Sequence, residues 1–333
     1  MNPLMTAPVV KRFQRMATIT VGAVIALILI GSLVRMTGSG MGCPDWPKCF
    51  GQWVPPTDVS QLPADYQRKF AVAGREIAEF EAFKTWVEYL NRLFGVLVGI
   101  LGVATLVLSF PLRKQDRALF GFSLGGLLLI IIAGGVGAYV VRTNLSEGMI
   151  TIHMMIALGV LSCYLFALAR STTSGPSAMW SSAPGKSAFW AGLIVMALLI
   201  SQIVMGTQVR EQVDALLKAG VDRADWIDSL TGAYGIHKFS HYALSASLLF
   251  WISKTWRIGT KRNRRLSMLM LGFTGAEVLM GLGMHHFEVP YVLQPLHLLF
   301  ATLLFATIFL SLSWGWPGMK MDLVKNEKRV HGN

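Results

Sequence analysis

The chain has 333 residues, of which 53% are hydrophobic and 14% are charged, and its mean hydropathy is +0.51. So apolar a composition excludes an ordinary soluble domain and is typical of a polytopic membrane protein. The formal net charge of +12 would suit a nucleic-acid-binding protein, but the distribution of the basic residues along the chain indicates membrane topology instead.

Eight apolar segments are long enough to cross a bilayer. They are too long for the strands of a membrane barrel, so the sequence predicts an all-α polytopic membrane protein with eight transmembrane helices. The first segment reaches full spanning length and lacks a small-residue cleavage site, which favours a retained helix over a signal peptide. In chain order the predicted spans are 16–34, 86–110, 119–141, 148–169, 187–209, 234–256, 266–287 and 291–316.

Basic residues are concentrated on one side of the predicted membrane. With a cytoplasmic N-terminus, the cytoplasmic segments hold 18 of the 30 Lys and Arg residues but three of the 18 acidic residues. This positive-inside asymmetry predicts a multi-pass protein of the cell inner (cytoplasmic) membrane with both termini in the cytoplasm. The basic run 254–265 is interpreted as a topology signal in contact with anionic membrane lipid, and we expect no nucleic-acid partner.

The first outer loop, 35–85, contains two of the three cysteines, in the stretch GCPDWPKC. Because the outer side of the membrane is oxidising, the position of Cys43 and Cys49 favours a disulfide between them. A pair of reduced thiols or a pair of metal ligands is the open alternative. Cys163, in the middle of the fourth span, is interpreted as a small buried apolar residue.

The two halves of the sequence repeat each other. The segments ITIHMMIAL around His153 and LQPLHLLFAT around His297 match, GSLVR at the end of the first span matches GTQVR at the end of the fifth, and EYLNR in the second span is placed like YGIHK in the sixth. The repeat predicts two pseudo-symmetric four-helix bundles of the same orientation. One bundle comprises 1–172 with the long outer loop 35–85, and the other comprises 173–333.

Histidines are the chemical signature of the spans. An ionisable side chain in the hydrocarbon of a membrane costs free energy, so a functional role is the default hypothesis for it. Neutral imidazole is a common ligand of haem iron. In the second half, His237 and His297 can approach one iron from opposite faces and so predict a six-coordinate haem b, with His241 as the alternative to His237. In the predicted topology these residues and His153 lie at the outer side of the membrane.

The first half differs from the second at the predicted ligand positions. Helix 4 of the first half offers His153, but Asn91 stands where the second half has His237. The iron of a haem in this half would be bound by one protein imidazole, and its other position would be either open or weakly ligated by Asn91. An open iron position is what oxygen chemistry requires.

A carboxylate accompanies the predicted first-half site. Glu88 lies three residues before Asn91, on the same helix face, and its counterpart in the second half is Tyr234. A buried carboxylate there would relay protons or stabilise cationic character on an attacked carbon. The alternative is that Glu88 pairs with Arg92 or Lys84.

Several other polar residues lie at the same level. His285 and His286 are interpreted as interfacial hydrogen-bonding groups, with copper or haem-edge binding as the alternative, and Glu277 in the seventh span has no assigned role. Each base at this level is a candidate for binding haem propionates, although each alone also fits an interfacial snorkelling side chain. The candidates are Arg35, Arg92, Arg142, Arg210 and Lys238.

The stretches GSLVRMTGSGMGCPDWPKCFGQWVPP and WVEYLNRLFGVLVG, the HK pair of the sixth span and the His153 and His297 helices resemble the haem A synthase family. The resemblance covers nearly the whole chain. It implies an eight-helix membrane oxidoreductase that converts the C8 methyl group of haem O to the formyl group of haem A for cytochrome oxidase assembly. It places a haem b cofactor in the C-terminal half and the substrate haem O in the N-terminal half.

The resemblance also implies roles for individual residues. The cysteines of the first loop form a disulfide in some members. The implied partners are haem O synthase (protohaem farnesyltransferase), the cytochrome oxidase assembly machinery and an unidentified electron donor. Whether the protein forms a homo-oligomer is left open. Carried across, Glu88 is the catalytic carboxylate, His153, Asn91 and Arg92 bind the substrate haem, and His237 and His297 ligate haem b.

One departure from the family pattern bears on two alternative functions. Many members have histidine where this chain has Asn91, so the substrate haem is not expected to be held by two histidines. A two-haem b-type membrane electron carrier would need paired histidines in both halves, which Asn91 contradicts. A haem transporter or chaperone would not need a carboxylate such as Glu88 next to just one of the two haems.

Overall fold

The computed structural model describes residues 6–144, 148–172, 183–258 and 261–314. Within these ranges the regular structure is helical apart from two isolated β-bridges, which confirms the predicted all-α class. The eight long helices of the described ranges are α1 (Thr6–Met36), α2 (Ala82–Ser109), α3 (Arg117–Arg142), α4 (Met149–Thr172), α5 (Ala183–Lys218), α6 (Gly232–Ile258), α7 (Lys261–His286) and α8 (Leu293–Ser313).

Seven of these eight helices are long and apolar enough to cross a membrane. The exception is α6, which has the length but is interrupted by polar residues: His237, Lys238 and His241 near its beginning, and Lys254 and Arg257 near its end. Among the described residues the structure therefore gives seven candidate spans where the sequence predicted eight. The termini, predicted to be cytoplasmic, lie outside the described residues.

Neighbouring helices pack in two closed rings. In the first, α1 contacts α2, α2 contacts α3, α3 contacts α4 and α4 contacts α1; in the second, α5 contacts α6, α6 contacts α7, α7 contacts α8 and α8 contacts α5. Between the rings, α8 contacts both α1 and α4, and α4 contacts α5. One buried apolar cluster runs through both rings, so the long helices share a continuous core.

Glycines permit the closest helix contacts in this core. A Cβ at Gly126 of α3 would lie 2.8 Å from the ring of Tyr164 on α4, and a Cβ at Gly192 of α5 would lie 2.7 Å from the indole of Trp251 on α6. Both aromatic side chains are fully buried. Only glycine leaves space for such large rings at these crossings, and the rings fill the core between the helices.

A buried ion pair joins two helix ends on the side of the molecule opposite the first loop. Asp116 caps the N-terminus of α3 by accepting a hydrogen bond from Leu119 N (3.0 Å), and it also binds Arg170 Nε near the end of α4 (2.6 Å). Capping satisfies an otherwise unpaired amide and places negative charge at the positive end of the helix dipole. The pair thus fixes where α3 begins relative to where α4 ends.

The loop between α1 and α2, predicted to be the first outer loop, is folded and covers the beginning of α2. Cys43 and Cys49 form the expected disulfide and are fully buried, and the ring of Phe50 packs edge-on against Tyr66, Phe70 and Phe80. Gly42 makes the tightest contact with the helix, because a Cβ there would lie 2.4 Å from the carbonyl oxygen of Lys84. The loop is therefore docked directly on the helix that carries Glu88.

We expect Gly42→Ala to destabilise the protein by about 1–3 kcal/mol, because the added methyl group forces the loop away from the backbone of α2. The measurement is thermal unfolding of the detergent-purified protein together with limited proteolysis of the loop. Gly22→Ala in α1 is the matched control, since a Cβ at Gly22 meets nothing within 4 Å. Equal stability of the two variants would contradict the docking of the loop.

Candidate functional site

Glu88 is a buried carboxylate in the second turn of α2, with 4% of its surface exposed. Its Oε2 accepts a hydrogen bond from the backbone N–H of Cys43 (2.9 Å), and its Oε1 accepts one from Arg92 Nε (3.1 Å), one helical turn further on. Of the two predicted ion pairs, the structure forms the one with Arg92, whereas Lys84 pairs with Glu81 instead (2.6 Å).

Arg92 connects Glu88 to the disulfide loop. Its guanidinium donates to the backbone oxygens of Cys43 (2.7 Å), Asp45 (2.6 Å) and Lys48 (3.1 Å) as well as to Glu88. These bonds occupy the five donors of an arginine side chain. Arg92 therefore holds Glu88 and the loop in place and has no donor left for a haem propionate, so any influence on a substrate haem passes through Glu88.

The two predicted iron-side groups of the first half are half-buried, and each has one buried polar atom without a hydrogen-bond partner. Asn91 Oδ1 on α2 and His153 Nδ1 on α4 have none in the part of the chain that the structure describes, and no hydrogen bond joins the two residues there. A Cβ at Gly137 of α3 would lie 3.5 Å from the ring of His153. Buried polar atoms are nearly always paired in native proteins, so these two atoms are candidates for contacts with a ligand.

The second half brings two imidazoles close together, with their ring planes nearly perpendicular. The ring centroids of His237 on α6 and His297 on α8 are 6.3 Å apart, with an interplanar angle of 80°. Their Nδ1 atoms are buried without hydrogen-bond partners among the described residues. Because a metal ion lies about 2 Å from each ligating imidazole nitrogen, a separation of this size fits one iron between the two rings.

His241, the alternative ligand, is placed differently. Its Nε2 is 3.1 Å from the hydroxyl oxygen of Ser245, one turn further along α6, and its ring packs on Tyr242. A Cβ at Gly206 of α5 would lie 3.3 Å from the ring of His237, which therefore fits a position that only glycine leaves open. These contacts favour His237 as the partner of His297.

A cluster of ions lies where the two rings of helices meet. Arg35 at the end of α1 and Arg210 on α5 both bind Asp214, with nitrogen to oxygen distances of 2.7 Å. Arg210 also donates to Gln294 at the beginning of α8 and to the backbone oxygen of Arg35. Sequence analysis singled out both arginines but missed Asp214, which lies one turn after Arg210 and is the acid that brings them together.

The remaining propionate candidates lie at the surface. Arg142 is the exposed last residue of α3. Lys238 has its Nζ 3.4 Å from His285 Nε2, and His285 Nδ1 is 2.8 Å from the hydroxyl group of Tyr234. This agrees with the interfacial hydrogen bonding expected of His285, whose ring also contacts that of His286 (5.0 Å). Within the described ranges no three His, Cys, Asp or Glu side chains are grouped to hold a metal ion.

A sequence model of the family described as "Cytochrome oxidase assembly protein" matches residues 14–309. The chain belongs to this family. The match runs from α1 to α8 and so includes every residue of the two sites described above.

Several heme A synthases resemble the chain over most of its length. The heme A synthase of Shewanella oneidensis is 24% identical over 321 residues, which cover 87% of this chain and 92% of the relative. That of Beijerinckia indica is 27% identical over 321 residues (84% and 86%), and that of Alkalihalophilus pseudofirmus is 24% identical over 260 residues (77% and 80%). The resemblance found in the sequence motifs is thereby confirmed.

We expect Arg92→Leu to destabilise this family member by about 3–5 kcal/mol, since breaking a buried ion pair leaves a carboxylate without compensation. The double variant Glu88→Leu with Arg92→Leu should recover part of that loss. The measurement is a double-mutant cycle of thermal unfolding in detergent. Lys84→Leu, which breaks the more exposed pair with Glu81, is the control and should cost less than about 1 kcal/mol. A similar loss of stability in Arg92→Leu and Lys84→Leu would contradict the buried ion pair between Glu88 and Arg92.

Proposed function

We propose that the protein is a haem A synthase that oxidises the C8 methyl group of haem O to the formyl group of haem A, in the membrane, for cytochrome oxidase assembly. The observation that carries the proposal is the difference between the two halves. One half offers two facing imidazoles, and the other offers one imidazole, an asparagine and a carboxylate held by an arginine. The heme A synthases that match most of the chain support the same reaction.

We also propose that α6 is an eighth span and that the helices form two pseudo-symmetric bundles, 1–172 and 173–333. The contacts within α1 to α4 recur in the same order within α5 to α8, and the contact of α1 with α8 recurs as that of α5 with α4. The 27 residues of α6 extend about 40 Å. Its outer surface is apolar and suited to lipid, with the exposed side chains Phe239, Tyr242, Leu249 and Phe250.

The orientation that we propose has both termini in the cytoplasm and both sites at the outer side of the inner membrane. The disulfide in the loop between α1 and α2 supports it, because such bonds persist in an oxidising compartment. The charge asymmetry of the sequence agrees, since the end of α6 and the beginning of α7 are strongly basic.

In the C-terminal half, His237 and His297 would hold haem b, which supplies one-electron transfer when bound. The closeness of the two rings, the unpartnered Nδ1 of His237 and the glycine next to His237 fit this group. Arg35 and Arg210 at the junction, together with Arg142 and Lys238 at the outer ends of their helices, remain the candidates for propionate contacts in the two halves.

In the N-terminal half, His153 and Asn91 would face the substrate haem O. Glu88 would hold or accept a proton during oxidation of the methyl group and stabilise positive charge that develops on the attacked carbon. Arg92 and the N–H of Cys43 fix the direction of both carboxylate oxygens. The expected partners are the farnesyltransferase that makes haem O, an electron donor and the oxidase that receives haem A, and self-association is an open possibility.

We expect Glu88→Gln to lower the yield of haem A by about 10²-fold or more, the usual contribution of a positioned acid or base, with accumulation of haem O or its hydroxylated form. The test is co-expression with a haem O synthase, followed by mass measurement of the extracted haems. Glu81→Gln is the matched control on the adjacent exposed acid. An unchanged yield in Glu88→Gln would remove Glu88 from its role, and unmodified haem in the unaltered protein would favour an electron carrier or a transporter.

Alanine substitution of either proposed haem b ligand should remove the spectrum of low-spin haem b. We expect this loss for His237→Ala and for His297→Ala, and an unaltered spectrum for His241→Ala, measured by absorption spectroscopy of purified protein at matched haem supply. The reverse outcome for His237 and His241 would transfer the ligand role to His241.

A further inference from the structure

Glu277 is an acidic residue that the proposed reaction does not use. It lies on α7, one of the candidate membrane spans, and only 8% of its surface is exposed. An ionisable side chain at such a position is expensive and usually has a functional partner. Among the ion pairs of the described ranges, the partner of Glu277 is an imidazole and not a lysine or arginine.

That imidazole belongs to His297 on the neighbouring helix α8. Oε2 of Glu277 is 3.1 Å from Nδ1 of His297. The contact has the distance but not the angle of a hydrogen bond, and Nδ1 of His297 has no other hydrogen-bond partner in the described part. The second carboxylate oxygen of Glu277, Oε1, is also buried without a hydrogen-bond partner there. The side-chain torsion that turns a histidine ring has a broad energy minimum, so rotation of the ring can align the two groups.

The contact distinguishes the two nitrogens of the ring. Histidine ligands of metals commonly donate the N–H of the nitrogen that does not bind the metal to a carboxylate or a carbonyl group, which fixes both tautomer and ring orientation. Since Nδ1 of His297 faces Glu277, the nitrogen left for iron is Nε2. The ring of His297 also faces that of His237, as a shared iron requires.

We propose that Glu277 is the positioning residue of His297: its carboxylate accepts the Nδ1–H, holds the imidazole in the tautomer that offers Nε2 to haem b, and lowers the reduction potential of that haem. The inference rests on the haem b site proposed above. A negatively charged hydrogen-bond acceptor makes the imidazole a stronger electron donor, and this stabilises the ferric state.

The first half contains no equivalent of this contact among the described residues. His153 is in no ion pair there, and the buried acid of that half, Glu88, is bound to Arg92 and the loop. The structure therefore supplies a carboxylate to the imidazole of the electron-transfer haem and withholds one from the imidazole of the substrate haem. The two irons would differ in electron density as well as in the number of protein ligands.

The test is a redox titration of haem b in the purified full-length protein, followed by its absorption spectrum. In Glu277→Gln, which keeps the shape but removes the charge, we expect the equilibrium between ferric and ferrous haem b to shift at least tenfold toward the ferrous form. This corresponds to a rise of about 59 mV or more for a one-electron couple. In Glu277→Asp the shift should be smaller, because the carboxylate is retained.

Thr274→Val is the matched control, because Thr274 lies one turn before Glu277 on α7 and its buried hydroxyl group has no hydrogen-bond partner in the described ranges. We expect this variant to keep the potential of the unaltered protein. If Glu277→Gln loses haem b while Glu277→Asp keeps it, the positioning role is also supported. An unchanged potential in Glu277→Gln, an equal shift in Thr274→Val, or loss of haem b from both Glu277 variants would overturn the proposal.

The His297→Ala and Glu277→Gln variants together separate the haem b site from the role of Glu277. If His297→Ala keeps the haem b spectrum of the unaltered protein, the haem b site itself is wrong. If His297→Ala loses that spectrum and Glu277→Gln leaves the potential unchanged, only the role of Glu277 is wrong.

Discussion

A polar side chain inside a membrane has no water to bind, so it must be paired by the protein or by a ligand. Glu88 meets this constraint through Arg92 and the amide of Cys43, and the two junction arginines meet it through Asp214. Atoms that remain unpaired are therefore informative. Within the described ranges they include imidazole nitrogens of His153, His237 and His297, which are the residues that haem chemistry would engage.

The proposed function assigns different chemistry to the two halves because a few positions that correspond in the sequence repeat have different residues. Glu88 binds an arginine and the covering loop, whereas its counterpart in the repeat, Tyr234, binds His285. Asn91 stands where the second half has His237. A helix arrangement that would serve electron transfer with two imidazoles would thus serve substrate oxidation with one imidazole and a carboxylate.

Hydropathy and spacing predicted the parts of the fold that depend on local sequence. The helical class and seven of the spans follow from the length of the apolar runs, and the disulfide follows from two cysteines in an outer loop. The proximity of His237 and His297 could be predicted because the two halves of the sequence repeat each other. The helix α5 continues to Lys218, beyond the predicted span end at 209, because hydropathy marks where an apolar segment ends and not where the helix ends.

Contacts between distant segments could not be predicted from the sequence. Arg92 was predicted to contact a haem propionate because it lies at the level of the predicted haem sites. Its donors bind carbonyl groups of the loop, however, and their arrangement depends on the fold of the loop. Glu277 and His297 are on different helices, so their contact depends on how far α7 and α8 are shifted along each other. Sequence periodicity shows which face of a helix is polar, and it does not show which partner that face meets.

The junction between the two rings of helices depends on one acid. Asp214 serves two arginines, one on α1 and one on α5, and the position that corresponds to it in the first half is Ser39, whose hydroxyl is bound to Thr37. Without the Asp214 carboxylate, two guanidinium groups would meet at the junction with no opposite charge between them, and like charges repel. The attachment of α1 to the second ring is therefore sensitive to the charge of one side chain on α5.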